Sequence, residues 1–199
     1  MDRPEFLLLV ATLASVLPPS TVVGQDEQLP TNEVELNGDG TAGALAVNLV
    51  AGSGNQQANV GLIASGGIGL ADGAVVQALS IGTIGGSASA EVRIADGAFA
   101  GSTGWLATNI GAGLGNQQAN VATIGIGFTG EVATAAMLSQ SRASTMEGDR
   151  GETPNGPEPY RTQIGDGAFA NSSGLVQVNL AAGDGNTSAN VFALSIPGQ

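Results

Sequence analysis

Three segments of this chain superimpose without a gap: 43–64 (GALAVNLVAGSGNQQANVGLIA), 104–126 (GWLATNIGAGLGNQQANVATIGI) and 174–196 (GLVQVNLAAGDGNTSANVFALSI). Their shared pattern is Gly, four residues, Asn, an aliphatic, then a Gly-x-Gly-Asn step, two polar residues and Ala-Asn-Val. Gly52, Gly113 and Gly183 mark equivalent points, so the copies are 61 and 70 residues apart. Repeats at such periods are the signature of stacked architectures, in which one unit cannot bury its apolar face without its neighbours. Asp-Gly-Ala-Phe at 96–99 and 166–169 extends the match upstream in the later two copies, and the first copy has only Asp39-Gly40 there.

Each copy reads as strand, turn, strand. Leu45, Val47 and Leu49 alternate with Ala44, Ala46 and Asn48, and the same parity gives Leu106, Thr108, Ile110 and Val176, Val178, Leu180. The turn glycines Gly52 and Gly54, Gly113 and Gly115, Gly183 and Gly185 tolerate the positive φ of a sharp reversal. The unit is either a hairpin or a β-arch. Near-identical copies favour the arch, because an arch satisfies its backbone only by stacking on a similar arch about 4.8 Å away.

Stacking brings like residues together. Asn48, Asn109 and Asn179 then form one ladder of side-chain amides and Asn59, Asn120 and Asn190 another, with Gln56, Gln57, Gln117 and Gln118 beside them; amides both donate and accept. The charge pattern agrees. The three segments span 22, 23 and 23 residues, 68 in all, and Asp184 is their single charged side chain. Stacked like charges would repel, so the repeats suit stacking and the acidic spacers suit solubility.

Residues 1–24 read as a signal peptide: a short head with Arg3, a twelve-residue apolar run at 6–17 expected to be helical, then Pro18-Pro19 and small residues before Gln25. Twelve residues are too few to span a bilayer, which takes about 20, and no other stretch approaches that length. The expected organisation is signal peptide 1–24, acidic lead-in 25–37, repeat 38–64, linker 65–93, repeat 94–126, linker 127–163 with a flexible loop at 139–163, and repeat 164–199. The expected fold class is all-β, a parallel β-solenoid of stacked arches preceded by a cleaved signal helix. The mature chain is expected to be exported, without a transmembrane segment and associated with the cell surface.

Composition narrows the function. The chain has no His and no Cys, which excludes Ser-His-Asp and Cys-His nucleophile pairs, disulfides and the usual zinc sites. Removing Asp2, Glu5 and Arg3 from 17 acids and 5 bases leaves 15 and 4, a net charge of −11 that repels nucleic acid. Asp96 with Arg93 and Asp166 with Arg161 are the recurring acid–base pairs, open to a β-helix polysaccharide-active enzyme. Trp105 and Tyr160 are the sole Trp and Tyr, too few for an aromatic-lined cleft, and the Asp-Gly steps read more simply as turns. Gly-x-Gly-Asn is similar to calcium-binding nonapeptides, which would place a cation at Asp184 or Asp39, but it occurs once per 61 or 70 residues. Residues 111–115 lack the Lys-Ser/Thr of a nucleotide loop. No catalytic residue, metal or cofactor is expected.

At the level of VNLAAGDGN (178–186) and GNQQAN (54–59 and 115–120), the chain resembles the Fap functional-amyloid subunits of pseudomonads. The resemblance implies an export signal, three Asn/Gln/Gly-rich repeats and two linkers, and a cross-β core of extracellular fibrils that stiffen biofilms and promote adhesion. It further implies self-association or association with related subunits, and outer-membrane export machinery. In one respect the chain departs: Fap subunits commonly carry a Cys-containing motif near the C-terminus, and none is present, which would suit a relative or an accessory subunit. The alternative is a monomeric solenoid adhesin or scaffold with closed ends. No polar or helical cover follows Ile196, and Pro197 is at most a partial edge blocker.

Overall fold

A computed structural model describes residues 6–17, 31–84, 89–146 and 160–197. Among these residues the regular elements are ten strands: β1 Phe6–Leu17, β2 Thr31–Leu36, β3 Ala42–Ala51, β4 Gln56–Ile84, β5 Ser89–Ile94, β6 Thr103–Ala112, β7 Gln117–Met146, β8 Tyr160–Ile164, β9 Ser173–Ala182 and β10 Thr187–Pro197. They form three parallel sheets ordered β2-β5-β8, β3-β6-β9 and β1-β4-β7-β10. Each repeat therefore supplies one rung, β2-β3-β4, β5-β6-β7 or β8-β9-β10. The register is the one the repeats dictate, with Asn48 opposite Asn109 and Asn109 opposite Asn179.

β3 and β4 lie in different sheets and do not pair with each other, so the connection at 52–55 is an arch. Leu45, Val47 and Leu49 turn toward the first sheet, joining a core with Val92, Ile94 and Ile110. The opposite face of β3 carries Asn48 toward β4. A second arch lies inside β4 itself. Gln56 Nε2 donates to Ala78 O at 3.0 Å, and Ala58 packs with Val75, so the strand folds back near its register shift between Gly66 and Ile68. β7 repeats this, with Gln117 Nε2 donating to Ser141 O at 3.0 Å. Each of the first two rungs is thus a serpentine of four layers.

The solenoid extends into segments that composition assigned elsewhere. The apolar run 6–17, expected as a signal helix, is extended here: β1 pairs in parallel with 68–79 of β4. Its Leu, Val and Ala residues suit either state, and an adjacent sheet edge offers backbone partners that an isolated helix of this length lacks. Residues 31–36 of the acidic lead-in form β2, and 139–146 and 160–163 of the expected flexible loop lie in β7 and β8. Polar residues at 139–146 remain extended because 76–84 supply a hydrogen-bonding edge, interrupted by one register shift between Ser80 and Thr83. The remainder of that loop, 147–159, and the cleavage site at 24–25 lie outside the described residues.

The turns at 95–102 and 165–172 stack on each other, with Phe169 N donating to Ala98 O at 2.8 Å. Phe99 and Phe169 stack with ring centroids 5.8 Å apart, and both occupy positive φ, 58° and 60°. Phe99 N donates to Gly38 O, the counterpart of Ala98. Asp39 therefore stands in the row of the two Phe residues, not that of Asp96, because the first rung crosses this corner in a shorter turn.

Candidate self-assembly site

The six repeat asparagines lie on facing strands, β3, β6 and β9 on one side and β4, β7 and β10 on the other. Read from sequence they form two separate ladders, one per strand row. In the structure they interlock into one. Asn109 Nδ2 donates to Asn48 Oδ1 and to Asn59 Oδ1, both at 3.0 Å. Asn120 Nδ2 donates to Asn59 Oδ1 at 2.8 Å and Asn109 Oδ1 at 3.0 Å. Asn179 and Asn190 continue the zigzag through Asn109, Asn120 and each other. Backbone carbonyls are drawn in as well: Asn59 donates to Val47 O, Asn120 to Thr108 O and Asn190 to Val178 O. The amides thus tie the rungs along the axis and the two sides of each arch across it. Asn109 and Asn120 are fully buried, where an amide without partners would be costly.

Among the asparagines the direction of donation between rungs is uniform, and among the amide pairs only Gln57 to Gln118 runs the other way. Along each strand row, Nδ2 of the later rung donates to Oδ1 of the earlier one. Gln118 Nε2 donates to Ile110 O, and Gln57 Nε2 to Gln118 Oε1 at 2.6 Å. Gln117 Nε2 donates to Gln56 Oε1 at 3.0 Å. In the third rung these positions are Thr187 and Ser188.

Two further ladders escaped the sequence reading. Asn55, Asn116 and Asn186 of the Gly-x-Gly-Asn step pass hydrogen bonds from rung to rung: Asn116 N to Asn55 Oδ1 at 2.8 Å and Asn186 N to Asn116 Oδ1 at 2.9 Å. Their recurrence was the available signal, masked by their role in the turn. Gln77 and Gln140 pair in the outer layer. Neither belongs to the aligned repeats, so only the fold-back of β4 and β7 brings them into line.

All six turn glycines hold positive φ, from 67° at Gly115 to 118° at Gly113. A Cβ on Gly113 would also strike the carbonyl of Gly183, so this corner is closed to other residues by stacking as well as by conformation.

The charged candidates lie outside this core. Arg93 reaches Asp96 at 3.7 Å and Glu35 at 3.9 Å on the partly exposed flank of the first sheet. Arg161 makes no ion pair among the described residues. Asp184 Oδ1 accepts from Leu114 N at 2.8 Å, which makes it a turn-capping group. Trp105 Nε1 donates to Gln177 Oε1 at 3.0 Å. Its ring borders an apolar groove of about 760 Å³ running along the rungs, lined also by Ile63, Ile124, Leu175 and Phe192.

The third-rung end of the stack is open, and the first-rung end is open except where β1 lies along 68–79 of β4. Ile94 and Val121 in the middle rung are 0% exposed, whereas their third-rung equivalents Ile164 and Val191 are 55% and 50% exposed. At the other end Ile63 is 64% exposed. Ile164 continues the column of buried Ile94 and lacks a neighbouring rung. Val191 lacks in addition the fold-back layer that sets Val75 and Leu138 beside Val121. Ile63 continues the half-exposed column of Ile124 on the groove.

A family model described as functional amyloid protein FapB/FapC matches residues 19–197. The chain belongs to this family. No solved structure matches it. FapB/FapC membership makes the chain a functional amyloid protein, in a family of structural proteins and not of enzymes. The match begins just past the apolar run and takes in all three repeats together with the segments between them, so the FapB/FapC pattern spans the whole solenoid of rungs.

Proposed function

We propose that this chain is a secreted structural subunit that assembles by rung-on-rung stacking into extracellular amyloid-like fibrils supporting biofilm matrix and adhesion. The carrying observation is the contrast between middle and end rungs. Ile94 is buried in the middle rung and its equivalent Ile164 is exposed in the third, and a second copy stacked head to tail would give Ile164 a neighbour like the one that covers Ile94. The stacking residues are Asn48, Asn59, Asn109, Asn120, Asn179, Asn190 and the flanking Gln56, Gln57, Gln117 and Gln118. The mechanism is templated addition of strands, driven by apolar burial and backbone pairing, with no bond made or broken. In this reading residues 1–24 direct export and are removed, the outer-membrane export machinery delivers the mature chain, and the partners are further copies or related fibril subunits.

The test is made on the mature chain. Thioflavin-positive fibres should give a fibre-diffraction spacing of about 4.8 Å along the axis. Isotope-edited contacts should place position 48 next to 109, and 109 next to 179. Fibres in which these positions are far apart would rule out the proposal. A mature chain that folds but stays monomeric would instead support the closed-ended scaffold or adhesin.

A further inference from the structure

We infer that Arg161 of one copy pairs with Glu33 of the next, and that this contact sets the direction and register of stacking. The inference rests on the head-to-tail assembly proposed above. On the outer face of the first sheet, Glu33 lies opposite Glu91, and Glu91 lies opposite Arg161. Beside this column runs a second one, Glu35, Arg93 and Gln163. Arg93 is engaged by Glu35 and Asp96. Glu33 and Arg161 are exposed at opposite ends of the molecule, and neither makes an ion pair among the described residues.

A second copy that continues the register below the third rung brings its Glu33 under Arg161, one strand spacing of about 4.8 Å away. Arg161 then sits between two carboxylates, Glu91 above and Glu33 of the next copy below, with Glu35 of that copy diagonally in reach. On the outer face of the first sheet Arg161 is the only charged residue of the third rung, while the first rung presents Glu33 and Glu35. The ends are thus complementary to each other and not to themselves. Two first rungs face to face would oppose Glu33 and Glu35 to their like, and two third rungs would oppose Arg161 to Arg161. Apolar columns and amide ladders supply affinity without strongly distinguishing these arrangements. A rim charge acts mainly on encounter and on rejection of wrong partners.

The experiment uses the mature chain with Arg161→Glu, Glu33→Arg and the double exchange, each checked for retained strand content. Elongation rates are measured by seeding in low salt, each variant on its own seeds. Each single variant should elongate about tenfold more slowly than the parent, because it presents like charges at both faces of the junction. An equimolar mixture of the two single variants should recover, since alternating copies restore opposite charges at every junction, and so should the double exchange. The deficit should shrink in about 0.5 M salt, where screening is short-ranged. Single variants that elongate at the parental rate, or a mixture no faster than its components, would overturn the inference. If the parent fibres still show the contacts between positions 48, 109 and 179, stacking survives that result and only the charge pairing fails. If the parent shows no such contacts, both fall.

Discussion

The ring of Trp105 in the second rung leans over Gly61 in the first, so closely that a Cβ there would lie 2.5 Å from Cζ3. The column of the indole runs Ala44, Trp105, Leu175 and that of the glycine Gly61, Ala122, Phe192, so Ala44 and Gly61 are a small pair in the first rung. The small pair of the first rung makes the space that the indole fills from below.

Gly61→Val should therefore displace the indole. The expected cost is about 1–3 kcal/mol, typical of overpacking, with a red-shifted emission from the only Trp. Denaturant unfolding followed by fluorescence reads both.

Asn109→Ala should destabilise the chain more than Asn48→Ala. Asn109 is buried and exchanges hydrogen bonds with amides above, below and across the arch, whereas Asn48 is exposed at the end of the ladder. Losing Asn109 leaves Asn120 and Asn179 each short of an acceptor, which costs about 1–3 kcal/mol for a buried polar group. Equal unfolding midpoints for the two variants would contradict the interlocked ladder.

Gly113→Ala should cost about 1–3 kcal/mol as well, since φ is 118° and the new methyl meets the Gly183 carbonyl. Gly43→Ala offers the comparison. Its φ is 104° but open space surrounds the site, so it should lose only the conformational part. Thermal unfolding of the two variants separates strain from collision.

Repeat spacing made the stacking order and register legible, because 48, 109 and 179 are equivalent by sequence and the sheets pair them. Alternation made the inward face of β3 legible through Leu45, Val47 and Leu49. Two things were not. The fold-back of β4 rests on Gly66 and Ile68 in a Gly/Ala/Ile-rich stretch whose pattern fits one long strand or two short ones, so Gln77 and Gln140 gave no sign of meeting. The single interlocked ladder depends on the distance across the arch, and no linear spacing encodes that. The equivalence of Asp39 with Phe99 was hidden for a related reason: a shared Asp-Gly suggested alignment with Asp96, while backbone hydrogen bonding follows the length of the turn.

Acidification should speed assembly. The chain carries 17 acids against 5 bases, and below pH about 4 most carboxylates are neutral, so repulsion between copies falls. The lag before thioflavin signal should shorten on going from pH 7 to pH 3. Arg161→Glu should lose its handicap in the same range, because the introduced carboxylate is then uncharged. An unchanged or longer lag would count against acidic spacers as the brake.

The abbreviated corner that sets Asp39 in the row of Phe99 and Phe169 occurs in one rung of three. A filament made from such units is a ruled scale, not a smooth cross-β rod: every third layer is missing an aromatic ring. Its true axial repeat is roughly 14 Å, three strand spacings, each holding one molecule. Weak layer lines at that longer period, and a mass per unit length fixed by it, would identify this polymer among fibres that share the shorter spacing.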